Sequence, residues 1–136
     1  MELKFFRIFM RLWSALFAMG GLLFVFCPSF VNYLLNTVSL AIGFMHVLPL
    51  SDNNFWLALA GSMMMSIAYL SFALAQEPYN KIARNSLLLC KFASSFFFAY
   101  FFFKTGNSVY LLGTCIDFPI FLIFLYVFSK TNKTRS

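Results

Sequence analysis

The stretch "YLLGTCIDFPIFLIFLYVFSK", Tyr110–Lys130, decides how this chain folds. It is a long apolar run with one carboxylate, Asp117, near its middle and Pro119 two residues on. Roughly 20 consecutive apolar residues are what an α-helix needs to cross a bilayer. The run therefore predicts a transmembrane helix over about 109–128. Asp117 then lies roughly 15 Å from either end at about 1.5 Å per residue. A lone charge at that depth costs about 2.5–3.5 kcal/mol on insertion scales, so it needs a partner.

Composition supports the same solvent. Hydrophobic residues make up 62% of the 136 positions and charged ones 10%, with 21 phenylalanines. Soluble domains are nearer half apolar and a quarter charged, and a globule this small leaves much of its surface exposed. Most side chains are expected to face lipid.

Working outward, three more spans and one ambiguous segment emerge. Residues 7–27 form the first span. No small-residue cleavage pattern follows it, since Val25, Phe26 and Cys27 lead straight to Pro28, which argues for an uncleaved helix. Residues 29–48 carry Asn32, Asn36, Thr37, Ser39 and His46 and are expected to form an interfacial amphipathic segment; a true crossing is the rival. Residues 55–75 form the second span, with Ala58, Ser62 and Ser66 as a small-residue stripe suited to close helix approach. Residues 82–103 form the third, with Ser86, Cys90 and Ser94 on one side and Phe96–Phe103 facing lipid or a partner. The basic tail, 129–136, is expected to be mobile. The predicted fold is thus an all-α integral membrane bundle of four transmembrane helices in a single domain.

The net charge of +6 reads as topology rather than nucleic-acid binding. With four crossings, Lys4, Arg7, Arg11, Lys81, Arg84, Lys130, Lys133 and Arg135 fall on one side, Lys104 on the other and Lys91 within a span, which accounts for all ten basic residues. The positive-inside rule then places both termini in the cytoplasm, consistent with a bacterial inner membrane. No basic stripe typical of nucleic-acid binders is present.

Lys91 is the expected companion of Asp117. It lies about 12–14 Å into span three, and spans three and four are antiparallel neighbours, so the two groups differ in height by less than one turn. Ser94 and Ser95 stand one turn along and offer hydroxyls. Pro119 leaves the carbonyl of Cys115 without its usual helical donor. This polar centre reads either as an ion pair that fixes helix register or as a functional site for protons or an amphipathic ligand. Arg7 and Arg11 share a face of span one, where their stems can snorkel to anionic headgroups; Glu77, Lys81 and Arg84 are expected in a solvated turn. Cys27, Cys90 and Cys115 form no metal or disulfide pattern, and lone His46 reads as an interfacial histidine.

No G-x-S-x-G, H-E-x-x-H or Walker motif occurs, so the chain is expected to be non-enzymatic. The four-span layout, with "FFRIFMRLWSALFAMGGLLF" at 5–24 as its opening helix, resembles in outline the DoxX-like four-helix membrane proteins. Span two, "LALAGSMMMSIAYL" at 57–70, lacks the glutamate and glycine pattern of that family's second helix, so no site residue carries over. The resemblance implies an accessory membrane subunit near quinone-linked redox chemistry. From the residues, the leading expectation is an auxiliary subunit of a larger membrane complex or a binder of a lipophilic molecule, quinone or lipid. The alternative is a proton-coupled transporter or channel-like oligomer that uses Asp117 and self-associates.

Overall fold

The computed structural model describes residues 2–41 and 55–133. They form five helices: α1 (Leu3–Phe26), α2 (Pro28–Ala41), α3 (Phe55–Gln76), α4 (Lys81–Thr105) and α5 (Ser108–Lys133). Four of them, all but α2, are long and apolar enough to cross a membrane. In each apolar window only 17–28% of residues are buried, so most of the large hydrophobic side chains point outward. His46, Asp52, Arg135 and the last part of the expected interfacial segment, 42–48, lie outside the described residues. Its described part, 29–41, belongs to α2, which starts on Pro28, where a missing N–H costs nothing, and packs against α1 and α5.

Two antiparallel pairs build the bundle: α1 packs most extensively on α3, and α4 on α5. The first seam is set by small residues. A Cβ on Gly21 or Gly61 would stand 3.0 Å from the other glycine's carbonyl oxygen, and Ser14 Oγ donates to the Ala68 carbonyl at 2.8 Å. The expected stripe of Ala58, Ser62 and Ser66 is instead exposed. Ser62 and Ser66 donate to carbonyls of their own helix, and the α1-facing side of α3 is the one that carries Gly61 and Ala68.

Turn chemistry joins the other elements. Asn80 caps α4 by accepting from the Ala83 N–H at 3.0 Å. Gly106 ends α4 at φ +68, a left-handed conformation that favours glycine, and Asn107 accepts from the Val109 N–H at 3.0 Å. α5 does not stop at Phe128: it continues to Lys133, with Thr131 fully buried. Residues 129–133 are therefore a last helical turn rather than a mobile tail.

The pairs meet in an aromatic core at the end that carries both Leu3 and Lys133. Phe124 of α5 is fully buried, with ring centroids 6.1, 5.3, 6.4 and 5.9 Å from those of Phe9, Trp13, Phe17 and Phe128. Phe6 and Phe128 are 6.0 Å apart, which puts the start of α1 beside the end of α5. On α4 the buried positions Ala83, Arg84, Leu87, Lys91 and Ser95 recur at helical spacing and end at Ser95. On α5 no residue from Val109 to Ile123 is buried. Among the described residues, the core shared by both pairs thus ends at the level of Lys91.

Candidate functional site

At that upper edge of the core, three helices converge on one polar centre. The periodicity that buries Leu87 also carries Lys91 inward, where its stem packs among apolar neighbours. Its Nζ lies 2.7 Å from Asp117 Oδ1 and 4.6 Å from the centroid of the Phe17 ring on α1. The ammonium is thus held between a carboxylate and an aromatic face, and both attract a cation. Asp117 accepts a second hydrogen bond at Oδ2 from the Ser94 hydroxyl, which has the Lys91 carbonyl 3.2 Å away as an alternative acceptor. The Lys91 and Asp117 side chains are 6% and 13% exposed, so water screens the pair little.

Ser95 does not belong to this centre. It is buried on α4 and donates back to the Lys91 carbonyl at 2.7 Å, as serine commonly does four residues along a helix. Its hydroxyl instead ties off the backbone beneath the lysine. Arg7 and Arg11 are exposed on the outer side of α1, away from the ion pair. The outer Phe96, Phe97, Phe101 and Phe103 are exposed, whereas Phe98 turns inward and covers Gly113, where a Cβ would come within 2.8 Å of its ring. Cys27, Cys90 and Cys115 are free thiols, and among the described residues no three His, Cys, Asp or Glu side chains come together.

Arg84, expected in a solvated turn, is buried at 5% exposure. Its Nε donates to the Pro78 carbonyl at 2.8 Å, and its guanidinium carbon lies 5.6, 5.7 and 5.3 Å from the ring centroids of Phe6, Tyr79 and Phe128. The flat, weakly hydrated guanidinium suits such an aromatic cage better than an ammonium would. Beside it a half-open cleft of about 200 Å³ lies between α4 and α5, lined by Arg84, Asn85, Leu88, Leu125, Phe128 and Ser129. A signal for this burial was present in the sequence: Arg84, Leu87, Lys91 and Ser95 stand at i, i+3, i+7 and i+11, one continuous helix face.

Comparison with protein-family models, curated proteins and solved structures gives no match.

Proposed function

We propose that this chain is an integral membrane protein with both ends in the cytoplasm, acting without catalysis of its own as an auxiliary subunit that holds the polar head of a lipophilic molecule, a quinone or a lipid. The observation that carries this reading is the Lys91–Asp117–Ser94 centre, set at the edge of the shared core rather than inside it. Lys91 has three N–H donors and Asp117 takes one, which leaves donors for an incoming carbonyl or phosphoryl oxygen. The exposed rings of Phe96 and Phe118 supply apolar surface for the body of such a ligand. The outline resemblance to DoxX-like proteins points the same way. Its basic residues favour a cytoplasmic position for the end bearing the termini.

Purification in mild detergent followed by organic extraction and mass spectrometry tests the proposal. The parent protein is expected to carry a stoichiometric lipophile or a fixed partner subunit, and Asp117→Asn is expected to lose most of the bound lipophile while keeping its helix content by circular dichroism. Undiminished retention in that variant refutes the proposed centre. A proton-driven flux in proteoliposomes that vanishes in Asp117→Asn would replace the binder by the transporter reading.

The hydrocarbon surroundings make a separate prediction. Phe→Ala in a water-soluble core loses both hydration and packing terms, about 3–5 kcal/mol. Lipid is as apolar as the core, so mainly the cavity term remains, and Phe124→Ala is expected to cost only about 2 kcal/mol by denaturant titration in detergent.

A further inference from the structure

We propose that the cleft beside Arg84 is a binding site for the phosphate of an anionic lipid headgroup, with the lipid's chains lying along the outer groove between α4 and α5. The inference rests on the membrane reading above but not on the Lys91–Asp117 centre. A cation held at 5% exposure inside a cage of three rings is costly to bury. Its position on the wall of the half-open cleft gives that cost a return: it sets a fixed, weakly hydrated cation beside the space a phosphate would occupy. The Pro78 carbonyl orients the guanidinium through Nε, and Asn85 and Ser129 place neutral polar groups on the same lining. Leu88 and Leu125 continue the lining as apolar wall, and Phe92 and Phe121 pack against each other across the same two helices, ring centroids 5.6 Å apart. A headgroup at the basic end with chains running up the groove matches that order of polar and apolar surface. Lys81 and Lys130, exposed at the same end, add a field that favours net-negative lipids over zwitterionic ones.

Native mass spectrometry on delipidated protein supplied with phosphatidylglycerol or phosphatidylcholine provides the test. The parent is expected to retain phosphatidylglycerol preferentially. Arg84→Gln is expected to reduce that retention about tenfold or more, the scale of one lost charge-assisted hydrogen bond. Because that variant also empties the aromatic cage, Ser129→Glu serves as the independent arm: it places a carboxylate at the exposed mouth, leaves Arg84 in position and is expected to reduce retention comparably at unchanged melting temperature. Excess inorganic phosphate separates the sources. Failure to displace the lipid supports recognition of headgroup and chains together, whereas full displacement shows that phosphate alone is read and overturns the assignment of the groove to chains. Equal retention of both lipids by the parent, or undiminished phosphatidylglycerol on Ser129→Glu, overturns the site. Resistance of the same parent to alkaline extraction from membranes would then leave the membrane reading standing, and its extraction would remove both.

Discussion

Lys91→Met is expected to destabilise the bundle by about 3–5 kcal/mol, the scale on which breaking one side of a buried ion pair acts. The substitution leaves Asp117 with the Ser94 hydroxyl as its remaining side-chain donor, in a place too apolar to hydrate it. Asp117→Leu is expected to be costly for the converse reason: the ammonium keeps the Phe17 ring but loses its counter-charge. The pair Lys91→Met with Asp117→Leu is expected to recover most of the loss, because two apolar side chains of similar volume need no compensation. Denaturant titration of the four proteins in one detergent closes the cycle. A double variant that costs as much as the two single variants added together would show that the two groups do not depend on each other. The same four proteins separate structure from function: a double variant that is stable yet holds no lipophile keeps the pair in the ligand's site, and one that is stable and still loaded reduces it to a register device.

The other large effect is expected at Gly61→Ile. A Cβ there meets Val25 Cγ2 at 2.6 Å and the Gly21 carbonyl oxygen at 3.0 Å. The valine can turn aside, but the carbonyl belongs to a helix backbone and moves only if α1 and α3 separate. Separation would also break the hydrogen bond from Ser14 to Ala68. The cost is expected near the top of the usual overpacking range, about 3 kcal/mol, read in the same titration. Val25→Ala added to Gly61→Ile should restore only a minor part. Full rescue by Val25→Ala would show that the side chain, rather than the backbone crossing, limits the approach.

How much of this was legible beforehand depends on which physical term set each feature. The number of long helices follows from the count of apolar runs. The limits of α3 and α4 fall within two residues of the expected ones, whereas α1 starts earlier and α5 ends later because polar and charged residues extend a helix past its apolar run. The Lys91–Asp117 contact was legible because antiparallel neighbours of known length fix the height of each residue, and few charges were available to choose from. Helix rotation was harder to read. α3 is apolar nearly all round, so spacing alone could not say whether the face with Ala58, Ser62 and Ser66 or the one with Gly61 and Ala68 meets α1. Proximity along the chain places Ser95 near the carboxylate, but four residues from Lys91 its hydroxyl finds the helix's own carbonyl. A basic residue at the edge of an apolar run suggests a solvated turn, which is the expectation for Arg84. Its burial needs Phe6 and Phe128, and their approach belongs to tertiary packing.

The halt of the common aromatic core at Lys91 has a mechanical consequence. Below that level four helices are locked by Phe124 and its neighbours; above it, α2, packed on both α1 and α5, is the tie between the two pairs. The lysine–aspartate contact sits where the aromatic lock ends. From Lys91 to the end of α4 the arm is about 21 Å at ~1.5 Å per residue. A tilt of about 5° at that level would carry the tip of α4 about 2 Å.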